Sequence, residues 1–172
     1  MPRQPPLARL LQELDKEELI AEILKLAERF EVVKTYFAVE LSGDATPALD
    51  KARKAITRQF QTAKGQWRPE PKASALNRIV RDFERISIFK SDVAALLVHR
   101  VNETLRWASN AYTPTAALTN STELAMEKAR KLIAEEGLEA TLGADTADWN
   151  NPNWRYGKAA DWLKPAGGWW TW

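Results

Sequence analysis

The chain has 172 residues, 45% of them hydrophobic, which suits one folded domain with an appendage rather than a disordered chain. It has no cysteine and one histidine, which excludes disulfides, cysteine nucleophiles and zinc sites built from Cys and His clusters. The net charge of +2 conceals an asymmetry, because residues 51–90 hold eleven Lys or Arg against three Asp or Glu.

The N-terminal extension, residues 1–14, lacks the apolar stretch of a signal peptide. The longest purely apolar run of the chain is far too short to cross a bilayer. We therefore expect a cytoplasmic protein without a membrane span.

The first predicted helix begins at Asp15, where Glu18 is placed to complete a capping box. Apolar residues then recur every three or four positions, which predicts one amphipathic helix of up to seven turns, bent near Arg29. Its end is predicted at Ser42-Gly43-Asp44. The apolar stripe consists of Leu19, Ile20, Ile23, Leu24, Ala27, Phe30, Val33, Phe37 and Leu41.

A second helix is predicted to open at Thr46-Pro47, since proline suits the first turn. Its inner face would hold Leu49, Ala52, Ile56 and Phe60. A polar loop over residues 61–71 leads to a third helix, whose predicted inner residues are Leu76, Ile79, Val80, Phe83 and Ile86. Its opposite face carries Arg78, Arg81 and Arg85.

Two further helices complete the predicted body. Ser91 is a candidate cap for the fourth, with Ala94, Leu97, Val101, Leu105 and Ala108 on one face. Asn120, with Glu123, is a candidate cap for the fifth, which would bury Leu124, Ala125, Ala129, Leu132 and Ile133. Gly137-Leu138 is typical of a Schellman ending. The sequence thus predicts an all-α domain over residues 15–138, with about five helices in stacked antiparallel hairpins or a bundle.

Three segments of this body carry a resemblance. DKEELIAEI at 15–23, VKTYFAVEL at 33–41 and NSTELAMEKARKLIAEEGL at 120–138 resemble an uncharacterised family of bacterial helical domains of unknown function. The resemblance covers roughly residues 10–138 and leaves out the C-terminal segment. It implies a small all-helical cytoplasmic domain and no catalytic residues to carry over.

The tail, residues 139–172, reads as irregular and contains six of the eight tryptophans. Burying six tryptophans releases less free energy than ordering its 34 residues costs, so the tail cannot fold alone. It would dock on its own body, on another protein chain or second copy, or on a membrane interface, unless it is an engineered C-terminus. The predicted partner-binding residues are Trp149, Trp154, Trp162, Trp169, Trp170 and Trp172.

His99 and Glu103 lie four residues apart on one predicted helical face, a spacing that acid–base chemistry or a metal could use. A carboxylate-bridged metal bundle requires a second His-bearing helix, and this chain has a single histidine. We therefore interpret the pair as an ordinary surface or interhelical hydrogen-bonding feature, and expect no catalytic residues, no metal site and no cofactor.

The sequence favours a non-enzymatic protein-interaction or adaptor module whose tail docks on its own body and on a partner chain. The alternative is a nucleic-acid-binding accessory protein that uses the basic residues 51–90, where Trp67 could stack on an exposed base. Its candidate residues are Arg58, Lys64, Trp67, Arg68, Arg78, Arg81 and Arg85. An enzyme that uses His99 and Glu103 is a third hypothesis.

Overall fold

The computed structural model describes residues 7–110, 114–146 and Trp149. Within these residues the protein is all-α, as predicted, but it has eight helices rather than about five. The helices are α1 (Leu7–Gln12), α2 (Lys16–Arg29), α3 (Glu31–Ser42), α4 (Thr46–Phe60), α5 (Ala73–Glu84), α6 (Lys90–Ala108), α7 (Ala116–Glu136) and α8 (Glu139–Thr146). None of these helices is both long and apolar enough to cross a membrane.

The chain divides between Gly43 and Asp44 into two compact units. The first unit contains α1, α2 and α3, and α2 packs against α3. The predicted capping box of α2 is confirmed: the Glu18 amide donates to Asp15 Oδ1 at 2.8 Å, and the Asp15 amide donates to Glu18 Oε2 at 3.0 Å. The predicted end is confirmed too, with α3 stopping at Ser42 and Gly43 in the left-handed region at φ 66°.

The prediction of one continuous first helix is wrong, because the chain leaves helical geometry at Phe30, directly after the bend predicted near Arg29. This residue is extended, with φ −128° and ψ 106°, so α2 ends at Arg29 and α3 begins at Glu31. A single non-helical residue therefore separates two helices that contact each other. The spacing of apolar residues continues across such a break, which explains why the sequence pattern predicts a bend within one helix rather than two helices.

The second unit is built around α6, which contacts α4, α5, α7 and α8. Its buried residues, which include Leu96, Leu97 and Val98, cover more than one side of the helix, as expected of a central helix. The predicted inner face of this helix is confirmed in full, and so is that of α4, where Leu49, Ala52, Ile56 and Phe60 are buried.

Two predicted helix starts are wrong. Helix α6 begins at Lys90 after Phe89, without a side-chain cap from Ser91. Helix α7 begins four residues before Asn120 and is capped by Thr115, whose hydroxyl accepts from the Leu118 amide. The Glu70 carboxylate, which is distant in sequence, stabilises this earlier helix start. It accepts hydrogen bonds from the Thr115 amide at 3.1 Å and from the Thr115 hydroxyl at 2.6 Å.

The predicted inner face of α7 is confirmed at Ala125, Ala129 and Ile133, which are buried. Leu132 is half-buried, and 65% of Leu124 is exposed. Leu124 lies about 100° around the helix from Ala125, so the side that packs on α6 leaves it at the margin.

The predicted Schellman ending of α7 is confirmed, with Gly137 at φ 63° and the Leu138 amide donating to the Ile133 carbonyl at 2.9 Å. Helix α8 follows immediately and contacts α6 and α7, with Leu142 buried. The first eight residues of the segment predicted to be irregular are therefore helical and part of the second unit.

Candidate functional site

The first unit exposes an unusual amount of apolar side-chain surface. Helix α2 has no buried residue, although its sequence pattern predicts an inner stripe. Ile20, Ile23 and Leu24 share one helical face and are 47%, 37% and 59% exposed. The exposed apolar residues of this helix pair are Ile20, Ile23, Leu24, Leu26, Phe30, Val32, Tyr36 and Leu41. Grouped exposure of this kind typically marks a surface that binds another molecule.

The stripe predicted for the first helix is therefore buried only in part. Leu19, Ala27, Val33 and Phe37 are half-buried, whereas the other members are exposed. A pair of helices encloses little volume between them, so residues at the edges of the stripe stay in contact with water.

Trp149 is the one tryptophan of the tail that the described residues include, and it is 2% exposed. Its indole N–H donates to Asn102 Oδ1 of α6 at 2.7 Å, and the Arg130 guanidinium of α7 lies 5.7 Å from its ring centre. The Asn102 amide nitrogen also donates to the Asp145 carbonyl of α8 at 3.1 Å. One asparagine thus joins α6 to both α8 and Trp149.

The burial of Trp149 assigns it to the chain's own body rather than to a surface open to a partner. The other five predicted partner-binding tryptophans lie outside the described residues. They are Trp154, Trp162, Trp169, Trp170 and Trp172.

The structure distributes the seven basic and aromatic candidates over several places. Arg58 of α4 lines a cavity of about 430 Å³ together with Arg53, Lys54 and His99. Arg78 and Arg81 on α5, and Arg85 directly after it, are exposed as predicted. Arg78 and Arg85 both lie near Asp82, at 3.5 and 3.9 Å.

The loop between α4 and α5 holds the remaining candidates, Lys64, Trp67 and Arg68. Lys64 is exposed, whereas Trp67 is half-buried and pairs with Gln61 in an isolated antiparallel bridge. The Arg68 carbonyl accepts from the buried indole N–H of Trp107 at 3.0 Å, so the loop is attached to α6. Trp67 is therefore less available for stacking on a base than its loop position predicts.

His99 and Glu103 form hydrogen bonds with different residues of the chain. His99 Nε2 lies 3.1 Å from Thr57 Oγ1 of α4, which is an interhelical hydrogen bond. Burial, assisted by the positive charge of Arg53, lowers the pKa of His99. Glu103 is 2% exposed and accepts from Arg106 at 2.6 Å, and its burial raises its pKa. Among the residues that the structure describes, no group of three His, Asp or Glu could hold a metal ion.

Arg100, which was not among the predicted site residues, is buried in the second unit with 3% exposure. Arg100 Nη2 donates to the Ser121 carbonyl at 3.2 Å and to Ser121 Oγ at 2.5 Å. Ser121 Oγ in turn donates to Asn77 Oδ1 at 3.1 Å, which links α5, α6 and α7. The sequence signal that could have indicated the burial of Arg100 is its position directly before Val101 within an apolar helical pattern, where a charged residue is unusual.

Comparison with family models, with curated protein sequences and with solved structures produced no match to this chain.

Proposed function

We propose that the protein is a non-enzymatic protein-interaction or adaptor module. The observation that supports this most strongly is the exposed apolar face of α2, with Ile20, Ile23 and Leu24 in water. Completing the burial of a half-exposed Leu or Ile gains about 1 kcal/mol. Several such residues together would stabilise a complex with a partner chain that covers this face.

The tail supplies the second part of the proposal. Trp149 ties its beginning to α6 and α7, and the sequence beyond it contains five more tryptophans. Tryptophan is over-represented among residues that dominate binding energy, because it buries a large area at the cost of few rotamers. We propose that Trp154 and Trp162 dock on the chain's own body, and that Trp169, Trp170 and Trp172 contact the partner chain.

Lysine substitutions on α2 test the apolar face. Ile20→Lys and Leu24→Lys together should abolish association, because the interface would have to bury two ammonium groups. Light scattering over a range of concentrations measures association with a second copy, and affinity capture with the full chain as bait measures other protein partners. Retention of both kinds of association by the double variant would exclude α2 as the interface.

The matched control places lysines elsewhere on the same helix pair. Ala21 and Ala38 are exposed residues of α2 and α3, so Ala21→Lys with Ala38→Lys adds the same charge. This control should keep the association. Equal loss in both double variants would assign the effect to charge rather than to the apolar face.

Deletion of residues 167–172 tests the tail separately. The deletion should leave the melting temperature nearly unchanged and abolish association. Destabilisation of the monomer by several degrees, with unchanged association, would instead make the terminal tryptophans part of the core.

The nucleic-acid-binding alternative is supported by one observation. The outer face of α5 is strongly basic, since 77% of the Arg78 side chain and 69% of the Arg85 side chain are exposed. Phosphate groups bind to such surfaces through charge rather than shape.

A further inference from the structure

An open cavity of about 420 Å³ lies between α5, α6 and α7, on the side of α7 where Leu124 remains exposed. Its lining residues include Asn77, Arg81, Arg100, Ser121, Leu124 and Lys128. The volume is within the range of sites that hold small molecules.

Arg100 carries a charge at this cavity that no carboxylate among the described residues neutralises. Both of its hydrogen-bond acceptors belong to Ser121 and are uncharged. Within residues 7–110 and 114–146, Arg100 forms no ion pair, and its Nε is buried without a hydrogen-bond partner. Burial lowers the pKa of Arg100 to about 10, which reflects the cost of keeping the cation there. Buried charges in proteins are normally paired or bound to a ligand.

The remaining charges at the cavity strengthen this imbalance. Arg81 and Lys128 add two cations. Glu84 is the one carboxylate among the lining residues that the structure describes, and it forms an ion pair with Lys128. The lining therefore has an excess of positive charge that a bound anion would balance.

The lining also has an apolar part. Val80 and Leu97 are buried residues of the cavity wall, and Leu124 adds an exposed apolar side chain. A ligand that suits both parts has one anionic group and a short hydrocarbon body.

We propose that this cavity binds a small organic anion, whose carboxylate or phosphate group pairs with Arg100 and Arg81 and whose apolar body packs on Leu124. The planar guanidinium group matches the geometry of both anions. The proposal rests on residues of α5, α6 and α7 alone, so it stands whether or not the apolar face of α2 or the tail binds a partner.

Calorimetric titration of the full chain at low salt tests the proposal with three probes of equal chain length: hexanoate, hexyl phosphate and hexan-1-ol. Binding of either anion, at least about tenfold tighter than the alcohol, supports the site, and the tighter of the two identifies the head group. Equal binding of the alcohol, or no binding of either anion at about 10 mM, would overturn the proposal, because even weak specific sites have dissociation constants near the millimolar range.

Two substitutions locate the anion on this cavity. Leu124→Glu places a carboxylate at the exposed edge, four residues from Lys128, and should weaken anion binding by about tenfold or more while the chain stays folded. Ala134→Glu is the matched control: it adds the same charge to an exposed position of α7, ten residues or about 15 Å farther along the helix. Unchanged binding in the Leu124 variant, or equal weakening in both, would place the anion elsewhere.

Arg100→Gln tests the central cation directly and should also lower the affinity for the anion by about tenfold or more. Full affinity in this variant would refute the role of Arg100. If the substitution prevents folding, the comparison of Leu124→Glu with Ala134→Glu still decides the proposal.

Discussion

Trp149 donates its indole N–H to Asn102 Oδ1 across 2.7 Å, although the two residues are 47 positions apart in the chain. This contact attaches the beginning of the tail to the central helix α6. Because the indole is 2% exposed, Trp149 belongs to the core of the second unit.

Replacement of Trp149 should therefore destabilise the monomer. We expect Trp149→Ala to lower the free energy of unfolding by about 3–5 kcal/mol, because it leaves a large cavity. Trp149→Phe should cost about 1–3 kcal/mol, since Asn102 Oδ1 loses its donor. Urea denaturation measures both values. Trp172→Ala is the control and should have little effect on the monomer; equal losses at the two positions would contradict this assignment.

Truncation after α7 should leave a helical but weakened body. A chain that ends at Leu138 lacks α8 and Trp149, so we expect it to stay helical and to melt about 10 °C below a chain that ends at Trp149. Thermal melting followed by circular dichroism measures the difference. Identical melting temperatures would show that α8 and Trp149 contribute nothing to the core.

The buried carboxyl of Glu103 should produce a pH-dependent difference in stability. Burial raises the pKa of Glu103 above its ordinary value of 4.5, against the opposing charge of Arg106. The folded state therefore keeps the Glu103 proton to a higher pH than the unfolded chain does. The stability that this protonated carboxyl contributes is fully present below pH 4.5 and is lost as the pH rises through the folded pKa.

Glu103→Gln removes this titration, so the variant should gain stability relative to the parent chain as the pH rises from about 4 to about 7. Urea denaturation at several pH values measures the trend. The exposed Glu127→Gln substitution on α7 is the control. If the stability of Glu103→Gln relative to the parent chain fell with rising pH, the result would contradict the prediction.

The basic face of α5 makes a prediction that separates the two functional proposals. If Arg78, Arg81 and Arg85 contact phosphates, the chain should bind single-stranded RNA or DNA with an affinity that falls steeply with salt. Replacing all three by Gln should weaken binding and flatten the salt dependence. Fluorescence anisotropy measures both effects.

The control for this series changes the same number of charges in the first unit: Lys16, Lys25 and Lys34, each replaced by Gln. These substitutions should leave the salt dependence unchanged. No detectable binding by the parent chain at about 50 mM salt would exclude the nucleic-acid-binding alternative, because phosphate contacts are strongest at low salt.

The candidate surfaces were predictable from the sequence to different degrees. The outward position of Arg78 and Arg81 follows from the 3.6-residue period of α5, since a charged face opposite an apolar one points to water. The same period assigns Ile20 and Leu24 to an inner stripe, and it cannot show that too little packs against α2 to bury them. Nothing local marks Arg100 as a neighbour of Ser121, because the contact depends on how α6 and α7 pair.

The sequence by itself determined the features that depend on a few neighbouring residues. Asp15 and Glu18 start α2, and Gly137 with Leu138 ends α7, because these hydrogen bonds close within one turn of the chain. Only the tertiary structure decided that the bend predicted near Arg29 is a full helix break at Phe30, since the apolar period continues across it.

Burial likewise required the tertiary structure. Leu124 is apolar and exposed, whereas Arg100 is charged and buried. Trp149 belongs to the body although its sequence surroundings resemble an irregular tail. The physical reason is that the exposure of a side chain depends on which distant residues come to cover it, and periodicity describes only its neighbours along the helix.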